Sequence, residues 1–233
     1  MMLLTRWTFA NIVDGASSIF VVTMSMEKYF RRLGFNTVFA PNGASSSMLE
    51  LYSRKTISGP VRIVLSGNLG AAQDESAIKL LIEEMRGFPK RELHLVGSSS
   101  QFSTRASTNV FFHGTLSQAD YACLLNSCHI GVSLRNNDFV GRNALPVRLF
   151  DYLSLGLPAV VYPRGEVEKL FGCTSSIKFL ETETDSVNEA ISTMISDLPY
   201  EVLSSDANRM AEKHSRKATS QLIVKWAKQE RFL

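Results

Sequence analysis

Pro146, Arg148 and Asp151 fall within six residues of one another. Pro146 is expected at the first helical position, where its missing N–H would be unpaired anyway, so the next free N–H groups point outward at the positive end of the helix dipole. Arg148 then sits in the first turn, and Asp151 follows on a neighbouring surface of the same helix. One helix end can thus present a cation to a phosphate and a carboxylate to sugar hydroxyls. A nucleotide sugar makes both demands. An acid and a base three apart at a helix start also make an ordinary solvated pair worth roughly 0.2–0.5 kcal/mol, and that alternative stands until the rest of the chain is weighed.

A second loop of the same character is Ser66-Gly-Asn-Leu-Gly-Ala-Ala72, which follows an apolar strand pattern and precedes a helical one. Glycines in that context let backbone N–H groups approach a diphosphate. The loop is neither a G-x-G-x-x-G fingerprint nor a Walker loop, because no Gly-Lys-Ser/Thr follows, and two glycines also serve simple turn chemistry. Both loops leave the carboxyl ends of strands, where ligands of open α/β sheets bind.

Other chemistries find little support. Ser25, Ser133 and the cysteines have no visible base partner for a nucleophilic triad. Cys123, Cys128 and Cys173 form no CxxC pair and no Cys/His cluster with metal-ligand spacing, and their odd number argues against a disulfide framework. No metal is expected, and a reducing cytoplasm is the default location.

Short Val-, Ile- and Phe-rich strands alternate with helical patterns, which predicts a doubly wound parallel sheet covered by helices. Strands are expected at about 19–24, 37–40, 62–66, 92–96, 109–112, 129–133, 158–162 and 177–180. Helical stripes of core residues are Ile78, Leu81, Ile82 and Met85 within 73–86, Tyr121, Leu124 and Leu125 within 118–125, and a third over 187–195. Residues 200–233 are read as helical and amphipathic, with Leu222, Ile223, Trp226 and Ala227 on the apolar side, packing back on the N-terminal piece or lying on an anionic membrane surface.

The chain has 233 residues, 45% hydrophobic and 20% charged, with mean hydropathy +0.01. Those values describe an ordinary globular protein able to bury a core. A formal charge of +3, from 25 basic and 22 acidic residues spread along the chain, permits anionic ligands and gives no case for nucleic acid. The longest early apolar run, Ile19–Met24, is far too short to span a bilayer. Apolar periodicity breaks at Leu51–Pro60, a candidate linker. What precedes it is only strand, helix, strand and turn, short of the roughly 100–150 residues of a usual domain.

The order of Ile63–Asp74, Leu93-His-Leu-Val-Gly97, Asn109-Val-Phe-Phe-His-Gly114, Leu124–Val132 and Pro146-Val-Arg-Leu-Phe-Asp-Tyr-Leu-Ser-Leu-Gly-Leu-Pro158 resembles the nucleotide-sugar-binding half of a GT-B glycosyltransferase of the retaining family-4 kind. Upstream, Val21–Gly34 and Val38–Gly43 are similar to the last helix and strand of that family's acceptor domain. The resemblance implies a remnant of the acceptor-type domain and linker at 1–57, a Rossmann-like donor domain at 58–199 and C-terminal helices at 200–233. It implies that Asp151 binds the donor ribose, where Glu is usual, and that Arg148 faces the diphosphate, where Lys is usual. Gly67, Asn68, Gly70, Gly97, His113, Gly114 and Gly141 are carried over as donor-site residues, with strand-end packing as the alternative for His113.

Two departures matter. Relatives carry an acid near the transferred sugar eight positions before the ribose acid, and here that position is Asn143, which can bond hydroxyls but lacks charge to support an oxocarbenium-like transition state. Relatives also carry Arg and Lys after the first glycine loop, near the places of Asn68 and Gln73. Arg135 or Arg142 can supply the missing charge.

The expected activity is transfer of a hexose from a nucleotide-diphosphate sugar to a glycan or lipid-linked acceptor. No cofactor is expected, and Asn143 and Arg148 are the catalytic candidates. The alternative is a catalytically silent nucleotide-sugar-binding or partner-binding remnant. An incomplete N-terminal piece predicts a homodimer or a separate acceptor-domain partner, and lipid-linked acceptors predict peripheral membrane contact. A nucleotide-sugar epimerase or dehydrogenase would need an N-terminal dinucleotide fingerprint and a Tyr/Lys pair, and neither is visible.

Overall fold

Ile63, Val64 and Leu65 are consecutive and wholly buried, a pattern that only a strand covered on both faces can sustain. The computed structural model describes residues 18–69, 73–98, 108–172 and 174–229. It opens with β1 (Ile19–Val21), α1 (Met24–Arg32), β2 (Thr37–Phe39) and the single turn α2 (Ser46–Leu49). There follow β3 (Val61–Ser66), α3 (Glu75–Glu84), β4 (Arg91–Val96), β5 (Val110–Gly114), α4 (Gln118–Ser127) and β6 (Ile130–Leu134). The chain continues through α5 (Phe139–Arg142), α6 (Val147–Ser154), β7 (Ala159–Tyr162), α7 (Gly165–Phe171) and β8 (Ile177–Phe179). It closes with α8 (Val187–Asp197), α9 (Tyr200–Lys213) and α10 (Arg216–Gln229).

The main sheet has six parallel strands in the order β5-β4-β3-β6-β7-β8. The expected α/β class and doubly wound parallel sheet are therefore present. After β3 the chain adds strands on one side, then returns to place β6 against β3's other edge, pairing Ile63 with Ile130 and Leu65 with Val132. The carboxyl ends of β3 and β6 flank the crevice of this topological switch.

Alternation along β3 divides the core between two faces. Ile63 and Leu65 pack with Ile78, Leu81 and Ile82 of α3 and with Ile191 and Met194 of α8. Val64 packs on the other face with Tyr121, Leu125 and Tyr152. The stripes expected on these helices are the buried faces observed, with Leu124 only partly buried.

In α6 every residue from Leu149 to Ser154 is buried. The helix can lie this close to β6 because of Gly131, where a Cβ would come within 2.3 Å of Tyr152 Cδ2.

β1 and β2 form their own two-stranded parallel sheet. A buried acid fastens this piece to the body. Glu166 of α7, 1% exposed, accepts from Met24 N at 2.7 Å and Ser25 N at 3.2 Å, at the start of α1, and from Lys169 Nζ at 2.7 Å. Its carboxylate satisfies N–H groups that the helix leaves open and complements the dipole. The stretch 51–60 carries no helix or strand, yet Lys55 within it is buried and donates to Leu125 O and Cys128 O, both at 3.2 Å, capping the end of α4.

One sequence expectation needs correction here. Pro146 is the residue before the first helical one: with ψ at 123° it is extended, and α6 begins at Val147. Residues 200–229 form the two helices α9 and α10, separated at His214 and Ser215. There Ala44 N donates to His214 O at 3.0 Å and Arg216 N donates to Ala44 O at 2.8 Å, so a strand-like bridge to the N-terminal piece replaces helical bonds. Residues of the expected apolar stripe on α10 are not buried; Trp226 meets Phe20 of β1 edge-on, with centroids 5.1 Å apart. Among the described residues no helix is long and apolar enough to cross a membrane.

Candidate active site

Three glycines stand side by side where β3, β4 and β5 end. Gly67 N donates to Val96 O at 2.9 Å, and Gly97 N donates to Gly114 O at 2.8 Å. Gly97 has φ +137°, and a Cβ there would lie 1.8 Å from Gly67 O. Only glycine allows this approach, which holds the first loop's backbone at the sheet's edge.

A hydroxyl network fixes the same loop from below. Tyr152 of α6 is wholly buried, and its hydroxyl accepts from Ser66 N at 2.8 Å and lies 2.8 Å from Ser66 Oγ. Ser66 Oγ is also 2.9 Å from the Tyr121 hydroxyl of α4. Two helices thus hold the last residue of β3, immediately before Gly67.

Above this floor is a cavity of about 760 Å³, a size suited to a ligand larger than a monosaccharide. Ser66, Gly67 and Asn68 line it at the end of β3, Gly97 just after β4, Gln118 and Tyr121 from α4, and Val147, Arg148 and Asp151 from α6. Ser45, Ser47 and Met48 of the N-terminal piece and Arg216 at the start of α10 also line it.

Arg148 Nη1 donates to Asp151 Oδ2 at 3.1 Å, and the guanidinium lies 4.5 Å from the centroid of the Tyr121 ring. The two side chains differ in exposure, 51% for Arg148 against 10% for Asp151. Burial raises the Asp151 carboxyl above its ordinary pKa, and the Arg148 hydrogen bond, with the charges of Arg148 and Arg216, opposes that rise without cancelling it. Pro146 offers no side-chain cap to α6, and the first two residues of the helix, Val147 and Arg148, line the cavity. The arrangement can bind a phosphate at the helix end and hydroxyls at the carboxylate.

The structure brings together Gly67, Asn68, Gly97, Arg148 and Asp151 of the residues expected from sequence. Gly70 lies outside the described residues. His113, Gly114, Gly141 and Asn143 are not on the cavity wall. His113 Nε2 meets His94 Nδ1 at 2.9 Å with the rings stacked, on the edge strand β5. Gly114 supplies the carbonyl that holds Gly97. Gly141 is buried in α5, where a Cβ would lie 1.8 Å from Asn136 O. Asn143 Nδ2 donates to Phe139 O at 2.7 Å, so its amide is engaged at the end of α5. Sequence reasoning missed Tyr152 and Arg216. Arg216 Nε donates to Gly43 O at 3.1 Å, a contact between residues 173 apart that no local pattern announces. Among the described residues no group of three His, Cys, Asp or Glu side chains is placed to hold a metal ion.

The fold matches several solved glycosyltransferase structures. Sucrose-phosphate synthase from Thermosynechococcus elongatus superposes with a TM-score of 0.71 at 16% identity, covering 94% of this chain and 59% of that one. HepE of Anabaena in complex with UDP gives 0.72 at 15%, covering 92% and 64%. The pneumococcal O-GlcNAc transferase GtfA, in complex with UDP and GlcNAc, gives 0.65 at 13%, covering 96% and 46%. The chain therefore spans less than two thirds of the length of these proteins. No curated protein matches its sequence. The model of the glycosyl transferase-like family matches residues 73–223, well over half of the chain and all of α6: the chain belongs to the glycosyl transferase-like family.

Proposed function

We propose that this chain binds a nucleotide-diphosphate sugar and takes part in transferring its hexose, with retention and without a metal, to a hydroxyl of a glycan or lipid-linked acceptor. The observation that carries the proposal is the pairing of Arg148 with the buried Asp151 at the open end of α6, beside Gly67 in the crevice of the sheet. In this reading Asp151 accepts from the ribose hydroxyls, while Arg148, the α6 N-terminus and the Gly67 backbone hold the diphosphate. During transfer the bond between the anomeric carbon and the distal phosphate oxygen breaks, and its electron pair stays on that oxygen. The acceptor oxygen bonds to the carbon and gives up its proton to the departing phosphate. Donors already aimed at the diphosphate stabilise the charge it gains. The UDP bound in HepE and in the pneumococcal transferase supports a nucleotide donor.

A second reading, a silent nucleotide-sugar-binding module, is favoured by one observation. Asn143, at the position where relatives carry an acid near the sugar, is outside the cavity with its amide bonded to Phe139 O. Incubating the chain with UDP-, GDP- and ADP-hexoses and a panel of glycan and lipid-linked acceptors separates the two. Glycosylated product that disappears with Arg148→Ala supports the transferase; saturable nucleotide binding without product from any pair supports the silent module.

A further inference from the structure

Among the described residues, Gln73 Oε1 and Arg135 Nε are buried and have no hydrogen-bond partner, and they lie at one place. The two residues face each other across an antiparallel bridge between the start of α3 and the end of β6. Both line a small cavity of about 110 Å³, together with Gly67, Pro146 and Arg148. Gly67 and Arg148 also line the large cavity, so the small one continues it inward past the start of α6, into the crevice between β3 and β6. At roughly 30 Å³ per water volume it has room for a phosphate group and not for a nucleoside.

A guanidinium in such a place calls for an anion. Asp138 is the carboxylate whose charge bears on Arg135, but Asp138 Oδ1 already accepts from Gly141 N at 2.7 Å at the head of α5. Gln73 Nε2 donates to Ser66 O at 3.3 Å, which holds its amide over the first loop. Arg142, the other cation left open by sequence, is exposed and donates from Nε to Asn137 Oδ1 at 2.5 Å. It does not line either cavity.

We propose that Arg135 is a second cation of the donor site, receiving the phosphate distal to the nucleoside in the inner cavity beside Gln73, while Arg148 and the α6 N-terminus hold the proximal phosphate. The proposal rests on the large cavity being a nucleotide-sugar site. It places a cation immediately after β6, opposite Gln73. The distal phosphate bears the bond that breaks, so Arg135 stabilises the leaving group more than the bound donor.

The test is calorimetry of wild-type protein, Arg135→Gln, Arg135→Lys and Arg148→Ala with UDP, GDP and ADP and the matching monophosphates, with thermal melts as a check of folding. Arg135→Gln is expected to weaken the bound diphosphate roughly 10- to 100-fold and to leave the monophosphate within about twofold. Arg135→Lys should recover part of the loss, and Arg148→Ala should weaken both nucleotides. Unchanged diphosphate affinity in Arg135→Gln, or equal loss for both nucleotides, overturns the assignment of Arg135 while wild-type binding keeps the donor site. If the wild-type chain binds none of the three diphosphates, the donor site itself is wrong and this assignment falls with it.

Discussion

Arg148 and Asp151 hold each other at 3.1 Å, the arginine half-exposed and the aspartate nearly buried. An exposed partner contributes little to folding, so Arg148→Ala should cost no more than about 1 kcal/mol in chemical denaturation. The same substitution should lower nucleoside diphosphate affinity by at least roughly tenfold, because it removes a charge-assisted contact at the helix end. A large loss of stability with no change in binding would show the pair to be structural only.

Asp151 should give opposite pH effects on folding and on binding. Its folded-state pKa is raised by burial, so its contribution to stability is present at low pH and is lost as pH rises through the folded value. Ribose hydroxyls need the ionised form as acceptor, so affinity should fall on acidification with a midpoint above the ordinary value of about 3.9. Calorimetry between pH 4 and 8 reads this directly. Asp151→Asn should remove that pH dependence and bind more weakly throughout.

The three glycines at the strand ends allow a paired comparison. Gly97→Ala meets both strain at φ +137° and a Cβ 1.8 Å from Gly67 O, and it should destabilise by roughly 2 kcal/mol or more while displacing the first loop and weakening nucleotide binding. Gly114→Ala has φ +62° and nothing among the described residues within 4 Å of the new Cβ, so backbone strain alone, about 1 kcal/mol, is expected. Equal effects from the two substitutions would contradict the close-approach argument.

Tyr152→Phe keeps the ring against Gly131 and removes only the hydroxyl that meets Ser66 N and Ser66 Oγ, each at 2.8 Å. Leaving a buried backbone N–H without that acceptor should cost roughly 1–3 kcal/mol in urea unfolding. No loss would mean that Ser66 finds another partner.

Much of this architecture is legible locally. The β3 run is continuously apolar because it is buried on both faces, and α3 and α4 show stripes because only one side of each is covered. Arg148 and Asp151 were legible because a helix brings positions three apart together. Features made by distant parts were not. Arg216 reaches the cavity only because Ala44 intercepts the backbone at His214 and Arg216, and residues near Gly43 carry no signal of that meeting. Asn143 is placed by an offset of eight along the chain, but it closes the turn Phe139–Arg142 and its amide bonds locally to Phe139 O. His113 was assigned by its place at a strand end, and its partner His94 lies on the neighbouring strand, a pairing set by register.

Lys55 offers a test of the body that is independent of the ligand. Burial lowers its pKa from 10.5 to about 8. Between those values the unfolded chain holds the proton more tightly than the folded one, so this residue makes stability rise as pH goes from about 8 towards 10.5. Lys55→Met should flatten that rise in denaturation curves taken at pH 7, 8.5 and 10. An unchanged pH profile would mean that Lys55 is solvated in solution.

The most direct test of the donor site is titration of the purified chain with UDP, GDP and ADP by calorimetry, with Arg148→Ala and Asp151→Ala alongside. The site at the open end of α6 predicts saturable one-to-one binding of one nucleotide, weakened at least about tenfold by each substitution. Binding of none of the three, or binding indifferent to both substitutions, would contradict it.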